Sequence, residues 1–254
     1  MPEQPQVSAT LVLIHGAWAG SWVWNRLTPL LRARGYRVIT PDLPGSNACP
    51  SVPEEASMDA CVREVVTLTE TVETPLFLLG HSGGGAVATQ AAEVMNGRVS
   101  GVIFLAGMML PSGTGFADII RELLPQDPAV AGIGPYLHWS DDRNFSRVPE
   151  DAARAIFFND LPEAQAQEAA SRLGWQAESS RALVPVWTRK GFGSLPRLYI
   201  EALRDRSVTL TLQRTMQART PGAEVVTLDA GHAPQVSQPE AVADAVAGFV
   251  RRYS

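Results

Sequence analysis

The sequence predicts an α/β fold: a mostly parallel central sheet with helices on both faces and a helical cap inserted between two strands. Three observations carry this. Short apolar runs of strand length alternate with segments of helical spacing up to residue 110, the rhythm of parallel strands buried on both faces. One such run, Pro75-Leu76-Phe77-Leu78-Leu79, breaks directly into Gly80-His81-Ser82-Gly83-Gly84 and then a helix-forming segment. The alternation then stops at Pro111 and resumes only at Leu195.

Thr10-Leu11-Val12-Leu13-Ile14 reads as the first strand. It exits into His15-Gly16-Ala17-Trp18-Ala19-Gly20, small residues that let backbone approach a ligand closely. Leu27, Leu30 and Leu31 give residues 25–34 a helical spacing, and Gly35 caps the end. Tyr36-Arg37-Val38-Ile39-Thr40 is the second strand. Residues 57–71 read as a helix with Val62, Val65 and Val66 mostly on one side and Ser57 as its N-cap. The Gly-His-Ser-Gly-Gly strand and its helix follow, then a buried strand over residues 99–105. Residues 111–193 hold helical pieces at 117–124, 150–158 and 163–173, several prolines, and aromatics that include Tyr136, Trp139, Phe145, Phe157, Phe158, Trp175 and Trp187. They are expected to form a cap over the carboxyl edge of the sheet, on a core of residues 1–110 and 194–254. Strands at 195–202 and 224–228, a helix at 210–219 and an amphipathic helix at 239–252 complete the chain.

Composition narrows the function. The chain has 254 residues, 45% of them hydrophobic and 19% charged, and a net charge of −5. No basic run exceeds two residues, so nucleic acid and anionic membranes are not expected partners. No apolar run approaches the roughly 20 residues that span a bilayer. The polar start, Met1-Pro2-Glu3-Gln4-Pro5-Gln6, is unlike a signal peptide; a cytoplasmic enzyme is expected. Cys49 and Cys61 are expected to be free thiols. The four histidines lack metal-ligand spacing and no G-x-G-x-x-G follows the first strand, so neither metal nor dinucleotide cofactor is expected.

Chemistry concentrates at the ends of strands. Strand, G-x-S-x-G, helix is the setting of a nucleophile elbow, with Ser82 as nucleophile and the Gly83 N–H beside an oxyanion. A serine hydroxyl needs a base within reach and a third group that fixes the base's tautomer. Of the four histidines, His232 sits in a Gly-His loop after the last strand and is the expected base. Asp205, just past the preceding strand, is chosen as the acid. Asp229 lies only three residues before His232, and Glu201 is still within its strand. Ala17, after the first strand, is the candidate second oxyanion donor. His15, Gly16, Trp18, His81 and Met108 are expected to line the substrate pocket.

With these residues in place, the sequence resembles the α/β-hydrolase superfamily. More narrowly, it is similar to the branch of small carboxylesterases, pyrethroid-type hydrolases, plant methyl-ester esterases and hydroxynitrile lyases. The resemblance rests on residues 15–24, 80–84, 198–205 and 231–239, with Phe157-Phe158-Asn159-Asp160 as a cap motif. It implies the same triad, Ser82, Asp205 and His232, and the same oxyanion donors. Lyases of the branch carry threonine and lysine where Gly16 and Ala233 stand here, which favours ester hydrolysis over cyanohydrin cleavage. The apolar cap, with Met108, Met109 and the tryptophans, suggests a small hydrophobic or aromatic ester as partner; a second copy of the chain, as in a homodimer, is left open. The rival readings are a lyase and a slow-turnover ligand receptor of the same fold. Two departures stand out: Asp42-Leu43-Pro44-Gly45-Ser46-Asn47 replaces a histidine-bearing loop, and Thr209 stands where relatives have proline.

Overall fold

The structure is a computed structural model that describes residues 8–50 and 55–254. The N-terminal hexapeptide read above lies outside the described residues. β1 (Ala9–Ile14), β2 (Tyr36–Ile39), β3 (Leu76–His81) and β4 (Val99–Leu105) alternate with α1 (Leu27–Ala33), α2 (Met58–Thr69) and α3 (Gly84–Val94). The segment after β4 contains α4 (Phe116–Leu123), β5 (His138–Trp139), β6 (Phe145–Arg147), α5 (Glu150–Ile156), α6 (Glu163–Ser171) and β7 (Gln176–Ala177). β8 (Arg197–Ala202), α7 (Leu210–Arg219), β9 (Ala223–Leu228), α8 (Pro234–Ser237) and α9 (Pro239–Tyr253) end the chain.

The central sheet has six strands in the order β2-β1-β3-β4-β8-β9, and every neighbouring pair is parallel. Period two explains why its inner strands are apolar throughout. Leu11 and Leu13 of β1, Phe77 and Leu79 of β3, and Ile103 and Leu105 of β4 face α1 and α9. Their neighbours Val12, Ile14, Leu78, Val102 and Phe104 face α2, α3 and α7. Both sides of each strand are buried, so neither can be polar. Fully burying one such side chain contributes about 1.5–3 kcal/mol. At α2, the Ser57 Oγ accepts from the Ala60 N–H at 3.1 Å, the cap the sequence predicts. Both cysteines are free. No helix among the described residues is long and apolar enough to cross a membrane.

Strand order also locates the site. The chain moves from β1 outward to β2, then returns to place β3 on the other side of β1. The order therefore reverses between β1 and β3, and the loops leaving their carboxyl ends part to form a crevice. The segment after β4 adds an element the sequence reading lacks, a small antiparallel sheet in the order β5-β6-β7. Strands of two and three residues are too short to show a period.

Candidate active site

Ser82 stands between β3 and α3 with φ +51°, a left-handed conformation that a residue with a Cβ adopts only when its surroundings enforce it. They do so here. The Ser82 carbonyl accepts from the Gly85 N–H at 3.0 Å and the Met108 N–H at 2.8 Å. The turn is tight enough that a Cβ on Gly80 would lie 2.4 Å from the Gly84 carbonyl oxygen, and one on Gly84 would lie 2.3 Å from that of Ile14. Only glycine fits at either place.

Asp205 and His232 follow β8 and β9. His232 Nδ1 and Asp205 Oδ2 are 2.8 Å apart. A carboxylate only accepts, so Nδ1 carries the proton and Nε2 has the free lone pair. The other oxygen, Oδ1, accepts from the Ser207 N–H at 2.7 Å and the Val208 N–H at 2.9 Å. The Asp205 side chain is fully buried, so these three donors replace its hydration. Ser82, His232 and Ala17 line one small cavity, and Ser82, Ala17 and Gly83 line a larger one. Among the described residues, neither the Ala17 nor the Gly83 N–H donates to a protein acceptor. The structure thus brings Ser82, His232, Asp205 and both candidate donors together, while Asp229 pairs with Arg204 and Glu201 with Arg214.

The larger cavity measures about 420 Å³. Of the residues expected to face substrate, His15, Gly16, Trp18 and Met108 line it, whereas His81 lines only the smaller one. Both histidine rings are tied down. His15 Nδ1–H donates to the Gly16 carbonyl at 2.7 Å and its Nε2 accepts from the Leu43 N–H at 3.0 Å. Burial lowers its pKa, against the Gly16 hydrogen bond and the Asp42 charge, which raise it. His81 Nε2–H donates to the His232 carbonyl at 2.7 Å. Burial first, then the facing His232, pushes the His81 pKa down to about 3. The divergent loop after β2 serves this scaffold: Leu43 holds His15, and Asp42 accepts from the Ser21 N–H at 2.5 Å.

Trp18 and the 157–160 motif figure in the sequence reading, but the contacts through which they hold this geometry, and their partners Ser146 and Gln176, do not. Trp18, beside Ala17, has φ +61°. Its N–H donates to Gln176 Oε1 at 3.0 Å, its Nε1 to Ser146 Oγ at 2.9 Å, and its carbonyl accepts from the Gly174 N–H at 2.9 Å. The segment after β4 therefore fixes the loop after β1. It also grips the loops that carry Asp205 and His232. Asn159 Nδ2 donates to the Arg204 carbonyl at 3.1 Å, and the Gly231 N–H donates to Asp160 Oδ2 at 2.7 Å. The Phe157 ring lies 5.0 Å from that of His232. Gln235, fully buried one turn beyond His232, went unnoticed; a lone amide among Ala233, Pro234 and Val236 was the available signal.

Comparison with known proteins agrees with this architecture. Residues 11–245 match the model of the alpha/beta hydrolase family. A pyrethroid hydrolase from Sphingobium wenxiniae is 34% identical, over 94% of this chain and 86% of that protein. Methylesterase 9 of Arabidopsis thaliana is 23% identical, over 95% of this chain and 98% of that one. Among solved structures, a pyrethroid hydrolase from Sphingobium faniae superimposes with a TM-score of 0.81 at 29% identity, covering 96% of this chain and 97% of that one. With a sheet whose order reverses at β1 and a serine held at an elbow past β3, the chain belongs to the alpha/beta hydrolase family.

Proposed function

We propose that this chain is a serine carboxylic-ester hydrolase that works through an acyl-enzyme. The observation that carries the reading is the buried Asp205–His232 pair, 2.8 Å apart, whose base lines the same cavity as Ser82. His232 Nε2 takes the Ser82 hydroxyl proton as Oγ attacks the ester carbonyl. The N–H groups of Ala17 and Gly83 hold the oxyanion, and His232 then protonates the leaving alcohol. Water repeats the sequence in reverse and releases the acid. Asp205 keeps His232 in the required tautomer and balances the imidazolium as it forms.

The substrate reading follows from the larger cavity. Its volume of about 420 Å³ falls in the range of small-molecule sites, roughly 300–1,000 Å³. Leu43, Val87, Met108, Phe116, Ile120 and Leu183 form much of its wall, which suits a hydrophobic or aromatic ester. The names of the relatives, pyrethroid hydrolase and methylesterase, support ester hydrolysis. Hydrolysis of p-nitrophenyl esters across acyl lengths tests it: turnover is expected for the wild type and none above background for Ser82→Ala. A folded wild type without turnover would overturn the reading.

A further inference from the structure

A second cavity, of about 30 Å³, touches Ser82, His232 and Ala17. Phe157, Phe158, Val23 and Leu173 make it largely apolar, yet Gln235 and His81 also line it. Gln235 is 0% exposed, and neither its Nε2 nor its Oε1 has a partner among the described residues. His81 Nδ1 is buried and unpartnered as well. His81 Nε2 carries the proton it donates to the His232 carbonyl, so Nδ1 offers a bare lone pair. Trp24 Nε1, on a ring that meets His81 edge-on at 6.3 Å, is a third unpartnered group. Buried polar groups are nearly always satisfied by protein or ordered water. One water needs roughly 10–15 Å³ in this measure, so this cavity takes two or three oxygen-sized groups and is far smaller than the cavity of about 420 Å³ beside it.

We propose that this cavity is a hydroxyl subsite, anchored by the Gln235 amide and His81 Nδ1, which delivers the oxygen that cleaves the acyl-enzyme. The inference rests on the ester-hydrolase reading. The ligand is a hydroxyl group on hydrogen or on a single carbon, supplied as water or as methanol. Its oxygen bonds to the acyl carbonyl carbon while its proton passes to His232 Nε2. The tetrahedral intermediate then expels Ser82 Oγ, which takes that proton back. Water yields the carboxylic acid and methanol yields the methyl ester.

Two measurements test it. A high-resolution crystal structure of the wild type is expected to show an oxygen within about 3.2 Å of Gln235 Oε1 or Nε2. A direct protein hydrogen bond to both amide atoms, with no oxygen between, would overturn the site whatever the enzyme's activity. Stopped-flow p-nitrophenyl butyrate hydrolysis separates acylation (the burst) from deacylation (the steady state). Gln235→Met, with its melting temperature checked, is expected to keep the burst rate within about twofold and to slow the steady state roughly tenfold. Equal loss of both rates, or loss of neither, would contradict the proposal. In the wild type, added methanol is expected to divert acyl-enzyme to methyl ester while butanol diverts little; equal diversion by both would contradict the small subsite. Absence of any p-nitrophenol release by a folded wild type would instead overturn the ester-hydrolase reading, and the crystal structure would still decide the site.

Discussion

At the scale of single residues, the proposed chemistry rests on one carboxylate and one strained serine. Asp205 accepts three hydrogen bonds in full burial. Replacing it with Asn puts an N–H donor where His232 needs an acceptor and favours the wrong imidazole tautomer. Asp205→Asn is expected to lower kcat by up to about 10⁴-fold, the scale of this change in other triads, with the fold intact by circular dichroism. The left-handed φ of +51° at Ser82 predicts a separate effect on stability. Glycine accepts this conformation without strain and alanine does not. Urea titration of the two inactive variants is therefore expected to find Ser82→Gly more stable than Ser82→Ala by about 1 kcal/mol. The reverse order would mean that the elbow is not strained.

At the scale of elements, the segment after β4 acts as a brace. Asn159 and Asp160, just beyond α5, hold the carbonyl of Arg204 and the N–H of Gly231, the residues immediately before the acid and the base. Arg206, on the far side of the acid, donates to the Ala155 carbonyl at 3.2 Å. Removing the carboxylate frees the base loop, and small misplacements of catalytic groups cost up to about 10²-fold in rate. Asp160→Ala is expected to lower kcat roughly 10- to 100-fold with KM within about threefold, and Asp160→Asn, which keeps an acceptor, to recover most of it. A rise in KM with kcat unchanged would place Asp160 in substrate binding instead. This brace also marks where the sequence stopped being legible. Strands β1, β3 and β4 were readable because burial on both faces leaves an unbroken apolar run, and Gly80 and Gly84 marked the elbow because no other residue fits there. Gln176 and Ser146 act through contacts 158 and 128 residues apart in sequence, and Gln235 is a lone buried amide. No local period encodes such contacts. The small sheet β5-β6-β7 was hidden because its strands are shorter than any pattern they could display.

At the scale of the whole molecule, two neutral histidines packed beneath the site couple stability to pH. His15 and His81 are buried, and both are held below the ordinary histidine pKa of 6.5. Below about pH 6.5 the unfolded chain takes up protons that folded His81 refuses until about pH 3. The unfolded state therefore binds more protons throughout that window, and stability falls as pH falls through it. The slope from His81 alone is about 1.4 kcal/mol per pH unit. Urea midpoints at pH 7.5, 6 and 5 are expected to decline accordingly. His81→Asn, which keeps a donor for the His232 carbonyl, is expected to flatten the decline; an unchanged slope would assign it to other groups. The reversal of strand order at β1 opens the crevice, and His15, just past β1, and His81, at the end of β3, lie beside it, where burial favours their neutral form.

The most direct test of the central claim is to trap the acyl-enzyme. The wild type is mixed briefly with p-nitrophenyl butyrate, quenched in acid, and read by intact-mass and peptide mass spectrometry. The account predicts one butyryl group per chain on the peptide containing Ser82, far less of it in His232→Gln, where the base that activates Ser82 is missing, and none in Ser82→Ala. A turning-over enzyme that carries its acyl group elsewhere, or that labels equally in Ser82→Ala, would contradict it.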